Sequence, residues 1–332
     1  MAVTVHRALL FAGMLLVCSS AGAIDIAMYP KLQVLIDKLH QKHGFARGQL
    51  QDLFEQAEIK PKILEIMARP GEARPWPEYR QLFVTVPHAN RGRRFWDQHR
   101  ATLERAKETY GVDPAVIVAI IGIESQYGRN AGRVRTLDAL TTLGLEYPPR
   151  GAFFRSELLN FLLLAREQHL DPLSIKGSYA GAIGAAQFIP SSYRRYAVDF
   201  DGDGRADLMH SRADAIGSIA HYFSQHGWKR GEPVATTARV EGNLYPWLKD
   251  LGTKPVLTLD QLRHYGVSPV NKDRPGELRA ALISFDGENR PIYRLVHDNF
   301  FVITRYNNNF KYSMAVFELS EMIRERFKER AS

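Results

Sequence analysis

Cysteine is almost missing from this 332-residue chain. The only one, Cys18, lies in the opening stretch MAVTVHRALLFAGMLLVCSSAGAID, which has the build of a secretory signal. Arg7 supplies its positive charge, Ala8 to Val17 a short apolar core, and Ala21-Gly22-Ala23 a small-x-small cleavage site. Cleavage after Ala23 would leave no thiol, which excludes disulfides, thiolate metal sites and a cysteine nucleophile from the mature chain. Lipid attachment at Cys18 is the competing fate, and the bulky Val17 before it disfavours that route. A membrane-length apolar run is also lacking, as are an internal repeat and a low-complexity tract. The expectation is an exported, soluble periplasmic protein that stands on its hydrophobic core.

With 45% hydrophobic and 24% charged residues, the chain has ample material for such a core. Its net charge is +8 and its pI about 9.5. A basic surface suits an anionic polymer, whether nucleic acid, lipid headgroups or carboxylate-bearing cell wall. Export argues against nucleic acid, and the spread of the cations argues against a dedicated patch.

Apolar positions Leu32, Leu35, Ile36, Leu39 and then Leu50, Leu53, Phe54, Ala57 recur at helical steps over residues 30–68. The segment 68–80, with prolines at 70, 75 and 77, reads as a connecting wrap. A helix is expected from about His88 to Tyr110. Asp113-Pro114 signals another, with Asp as cap, Pro in the first turn and Gly128 as the stop. Residues 153–168 and 211–227 read as further helices, the second ending at Gly227. Beyond Trp228 come short β-branched and aromatic runs, VATTARV, PVLTL, RAALISFDG, PIYRLVH and FFVITRYN, which read as strands. A last helix spans 312–330. The class is therefore mainly α (α+β), with a small β-rich insert. The expected division is a signal at 1–23, a helical flanking domain at 24–110, a core at 111–228 plus 298–332, and the insert at 229–297.

Glu124 stands out. It sits near the end of a helix whose preceding turns are apolar, Val116 to Ile123. Desolvation and the negative end of the helix dipole both push its pKa upward. A carboxyl held protonated near neutrality is what donating a proton to a glycosidic oxygen requires. The plainer reading is an ion pair with Arg129, Arg133 or Arg135, which this residue alone does not exclude. Asp138, Glu146 and Glu157, the other nearby acids, read as solvated. The run Gly181 to Pro190 is rich in small residues that let backbone approach a ligand, and Gln187 in it carries an amide suited to sugar hydroxyls. Arg305-Tyr306-Asn307 and Tyr312 add phenol and amide groups, and Tyr147-Pro148-Pro149-Arg150 forms a rigid loop.

Residues 199–207, DFDGDGRAD, match the start of an EF-hand-type loop: Asp199, Asp201 and Asp203 at positions 1, 3 and 5, the Arg205 carbonyl at 7 and Asp207 at 9. His210 replaces the glutamate of position 12, and Asp214 is the substitute carboxylate. The expected ion is a structural Ca2+.

The segments GIESQYG, GSYAGAIGAAQFIPSSYRRYAVDFDGDG, DAIGSIAHYF and ITRYN, in this order and spacing, resemble the lytic murein transglycosylase B family, the likeness running from about Tyr29 to the C-terminus. The resemblance implies a lysozyme-like core and cleavage of the N-acetylmuramic acid to N-acetylglucosamine bond of peptidoglycan. It makes Glu124 the acid and then the base, closing a 1,6-anhydro ring without a catalytic cofactor. It further implies a monomer acting on glycan strands, with cell-wall synthesis or remodelling proteins as candidate partners. Ser178, Gln187, Tyr222, Tyr306, Asn307 and Tyr312 correspond to cleft residues. In the loop at Tyr147 the family pattern has two consecutive arginines, and here the first is Pro149, so Arg150 alone is carried over. A goose-type lysozyme-like hydrolase and a non-catalytic wall-binding protein are the alternatives.

Overall fold

A computed structural model describes residues 24–68, 74–271 and 274–331. The signal segment and Cys18 lie outside them, as do residues 69–73 of the proline-rich wrap. The chain divides into two compact units, one through Ile59 and one from Lys60. Of the first, α1 (Pro30–His43) buries Leu32, Leu35, Ile36 and Leu39, and α2 (Arg47–Glu55) buries Leu50 and Phe54.

The second unit opens with α3 (Pro61–Met67) and α4 (Trp76–Phe83). The wrap is thus helical from Trp76 onward: Pro77 falls in the first turn, where a missing N–H costs nothing. The single helix expected over 88–110 is two, α5 (Val86–Gln98) and α6 (Arg100–Tyr110), broken at His99. The break involves neither proline nor glycine, so nothing in the sequence marks it. Next comes α7 (Pro114–Ser125), capped by Asp113, whose carboxylate accepts from Ala115 N at 2.8 Å. It is apolar all round and accordingly central, packed on α5, α6 and the last helix.

Strand β1 (Val134–Arg135) leads into α8 (Thr136–Glu146) and α9 (Gly151–Glu167), then β2 (Lys176–Gly177), antiparallel to β1. Then follow α10 (Pro190–Tyr196) and α11 (Arg212–Gln225), with Ser211 as cap of the latter and Gly227 left-handed beyond its end. The insert holds β3 (Ala235–Val240), β4 (Leu257–Thr258), a short helix α12 (Leu259–His264), β5 (Val267–Pro269), β6 (Arg279–Phe285) and β7 (Ile292–Val296). They form one antiparallel sheet ordered β4-β6-β7-β3-β5 around Leu259, Leu262, Val267 and Leu295.

One expected strand is a helix. FFVITRYN forms α13 (Asp298–Tyr306), despite its β-branched and aromatic composition. Tertiary bonding overrides propensity: buried Asn299 accepts from Lys229 N and donates to the Lys229 and Glu232 carbonyls, pinning the first turn. The last helix is α14 (Phe310–Ala331).

Candidate active site

Helix α7 ends three residues before the expected glycine. Gln126, Tyr127 and Gly128 are all left-handed, and Tyr127 folds back so that its hydroxyl donates to the His88 carbonyl at 2.9 Å. Gly122 makes room for this: a Cβ there would lie 2.7 Å from the Tyr127 ring. Buried Ser125 then ties the helix end to the 181–190 loop, its hydroxyl 2.7 Å from the Ala185 carbonyl while it accepts from Gly128 N at 3.0 Å. Glu124 is thereby presented where α7, that loop and the start of α14 meet.

The carboxyl of Glu124 is pushed up to about 7 by burial, and Tyr312, donating to Oε1 at 2.5 Å, pulls it back. Among the described residues it makes no ion pair. The arginine reading is displaced in particular at Arg135, which pairs instead with Asp138 at 2.6 Å. The residue keeps some solvent exposure, as a group that must meet a ligand requires. Tyr312 is aimed by Asn309, whose side-chain oxygen accepts from the N–H groups of Lys311 and Tyr312 at the start of α14. Sequence reading missed both Asn309 and Tyr79. The latter, buried on α4, lies close enough to Tyr312 to raise that phenol's pKa.

The other expected cleft residues divide into two groups. Tyr306 is close enough to Glu124 for the carboxylate to add to the upward push of burial on its phenol. Its hydroxyl donates to the Ala186 carbonyl, and that of Tyr222 to the Arg305 carbonyl at 2.5 Å. With Phe188 the two rings form a mutually tilted cluster at 5.1 to 5.7 Å. Gln187, left-handed at φ 50°, spends both amide protons on the Ala131 and Gly184 carbonyls at 2.9 Å, and its side-chain oxygen has no partner among the described residues. Ser178 accepts from Ala180 N and Ala182 N and so braces the same loop, and Asn307 caps the end of α13. Arg150 stands apart. It is exposed, stacked 4.2 Å over Phe153, and has no bond to this group.

Two of the acids expected to be solvated are buried. Asp138 is held by Arg135, and Glu157 accepts from both N and Oγ of Ser191 at the head of α10. Each braces a helix start, which sequence spacing cannot reveal. Glu146 is exposed, as expected.

In the acidic loop, carboxylate oxygens of Asp199, Asp201 and Asp203 all lie within 4.8 Å of one another. Gly202 and Gly204 are left-handed with open space beside them, so glycine is there for the turn itself. This clustering of hard oxygen donors fits a Ca2+ ion. Asp214, the expected substitute carboxylate, is not among these three. It is fully buried, its Oδ1 accepting from Phe200 N and Asp201 N and its Oδ2 from Asp207 N. Asp207 likewise accepts from Met209 N and His210 and turns toward that end of the loop, and Arg205 donates its N–H to Asp203.

A carboxyl raised toward neutrality by burial beside two phenols, on a helical lysozyme-like core, is the equipment of an acid–base enzyme. The comparisons give that class its family. Residues 27–321 match the transglycosylase SLT domain. The chain is 41% identical over 309 residues to the membrane-bound lytic murein transglycosylase B of Escherichia coli strain K12, spanning 90% of this chain and 84% of that protein. Among solved structures it resembles the soluble lytic transglycosylase SltB1 of Pseudomonas aeruginosa, 43% identical with a TM-score of 0.83, over 91% of this chain and all of that one. It is similar also to the E. coli lytic transglycosylase Slt35 in complex with calcium, 40% identical at 0.83, over 93% and 97%. A third is P. aeruginosa SltB3 in complex with NAG-NAM-pentapeptide, 30% identical at 0.77, over 90% and 79%. The chain belongs to the transglycosylase SLT family, as a relative of the lytic transglycosylases.

Proposed function

We propose that the chain cuts peptidoglycan glycan strands as a lytic transglycosylase, with Glu124 as its acid and base. The observation that supports this most is the Glu124 carboxyl, raised to about 7 by burial and touched by Tyr312. Protonated, it gives its proton to the oxygen joining N-acetylmuramic acid to N-acetylglucosamine as the C1–O bond breaks. The muramyl acetamido oxygen stabilises C1, so no second protein carboxylate is required. Glu124, now ionised, takes the proton of the same sugar's 6-hydroxyl as that oxygen bonds to C1, closing the 1,6-anhydro ring. Tyr312 steadies the anionic form between the two steps. The Tyr222–Tyr306–Phe188 wall and the Gln187 oxygen orient the sugar, and Ser178 and Asn307 frame the same cleft. Arg150, carried over from the family pattern, would contact only parts of the substrate that extend beyond this group.

The family relation supports glycan strands as the substrate, and SltB3 was solved with a NAG-NAM-pentapeptide. The acidic loop would hold a structural Ca2+ through Asp199, Asp201 and Asp203, clamping the segment between α10 and α11. A three-part division at 24–110, 111–228 plus 298–332, and 229–297 suits this activity, as does residence in the periplasm after loss of residues 1–23. No helix among the described residues is long and apolar enough to cross a membrane.

The test is product analysis on purified sacculi. The wild type is expected to release 1,6-anhydromuramic ends, and Glu124→Gln to lose at least about 100-fold in rate. Reducing ends would make the enzyme a hydrolase, and full activity of the variant would remove Glu124 from the chemistry.

A further inference from the structure

Between the end of α7 and β1 runs a tether, residues 126–133, and it is fastened at four points. Asn130 N donates to the Ser125 carbonyl at 2.9 Å, Arg212 Nη2 to that of Gly128 at 3.0 Å, and the Gln187 amide to that of Ala131 at 2.9 Å. Gly132, at φ 99°, packs so closely that a Cβ there would collide with the Gly177 carbonyl and Ser178 N. The tether therefore touches Gln187 at one residue and the backbone of Ser178 at the next.

Strand β1 then pairs with β2, Val134 opposite Gly177 and Arg135 opposite Lys176. One step back along the same register, Arg133 stands opposite Ser178. Side chains alternate along a strand, so Arg133, Arg135, Lys176 and Ser178 share one face of this ribbon. Three of the four are cations. Arg135 is spent on Asp138 at 2.6 Å. Arg133 and Lys176 are exposed and make no hydrogen bond or ion pair among the described residues. Like charges crowded on one strand pair are unfavourable by themselves, and an anion laid across them relieves the repulsion. Burial and the Tyr312 bond set the Glu124 carboxyl. The two free cations thus act on what the substrate carries and not on the proton.

We propose that Arg133, with Lys176 beside it, is a specificity-determining residue that takes a carboxylate of the peptide arm borne by the muramyl sugar. This rests on the reading of the chain as a lytic transglycosylase with Gln187 and Ser178 in its cleft. A guanidinium meets a carboxylate through two parallel N–H···O bonds, and a tether already fixed loses little freedom on binding.

The experiment measures release of anhydromuramic ends by the full mature chain on three soluble strand preparations. One keeps its peptide arms, one has the arm carboxylates converted to amides, and one has lost its arms to an amidase, which exposes the lactyl carboxylate. Strands with free acidic arms should show a KM about fivefold below either other preparation at similar kcat, the worth of one exposed ion pair. Arg133→Gln should bring the KM on those strands up to that on the other two, Lys176→Gln should do so in part, and Arg133→Lys should restore much of the preference. Both side chains are exposed, so melting temperatures should match the wild type; if one falls, the three-way comparison in the wild type decides alone. Equal KM on all three preparations, or an equal loss on all three in Arg133→Gln, overturns the assignment. Stripped strands bound as well as intact ones overturn it in favour of the lactyl group. Absence of anhydro ends from every preparation would instead defeat the transglycosylase reading, and this inference with it.

Discussion

Glu124 is held between acid and base by opposed influences, and both are testable at this one residue. Burial lifts its carboxyl to about 7 from an ordinary 4.5. The folded state therefore binds an extra proton between those two values. Stability is full below about 4.5 and declines as pH rises toward 7, by roughly 3 kcal/mol at most. Glu124→Gln has no such proton to lose, so its melting temperature should overtake that of the wild type between pH 5 and pH 8. A constant difference across that range would mean that the carboxyl titrates normally. The opposing influence is the Tyr312 hydroxyl, which favours the anion. Tyr312→Phe should move the alkaline limb of the kcat/KM profile upward by about one pH unit, the worth of one charge-assisted hydrogen bond. An unmoved limb would deny the contact any role in the proton balance.

At the scale of elements, the sequence told most where a signal is local. Asp113-Pro114 opens α7 where expected because a cap and a first-turn proline act within one turn. The end of α7 was not legible. Its stop comes from Tyr127 reaching back to His88, a partner 39 residues earlier in the chain. The acidic loop shows the same division. Its three leading aspartates were readable from spacing, whereas the place of Asp214 was not, since its three N–H donors are assembled only by folding. Asp214→Ala would leave those donors without their acceptor and should cost about 3 kcal/mol or more in urea unfolding. It should also abolish the rise in melting temperature that Ca2+ is expected to give the wild type and EDTA to reverse. If EDTA leaves the wild-type transition unmoved, the loop is a hydrogen-bonded turn and not an ion site.

Across the second unit, α14 is the common member. Its first turn carries Tyr312 to Glu124, its middle carries Glu318, and Arg324 further along pairs with Asp113 at the head of α7. Glu318 bridges Arg80 of α4 at 2.5 Å and Arg294 of β7 at 3.2 Å, joining three elements distant in sequence. Both Glu318 and Arg294 are largely shielded from solvent, so the pair is stronger than an open surface bridge. Glu318→Ala should cost about 2 kcal/mol. The expected signature in urea is a lower midpoint and a shallower transition, as the insert loosens ahead of the helical core. An unchanged midpoint would show that apolar packing alone holds the insert.

By itself, the sequence determined the helix-dominated class, the apolar helix that carries Glu124, the acidic loop and, through four spaced motifs, the family. These depend on periodicity, caps and residue order, which are properties of a few neighbouring residues. Only the tertiary structure decided that Glu124 answers to Tyr312 and not to an arginine, that FFVITRYN is a helix, that Asp138 and Glu157 are structural, and that Tyr222 and Tyr306 spend their hydroxyls on backbone carbonyls. Each of those outcomes is a competition for a hydrogen-bond partner or for a place out of water, and the competitors come together only when the chain has folded.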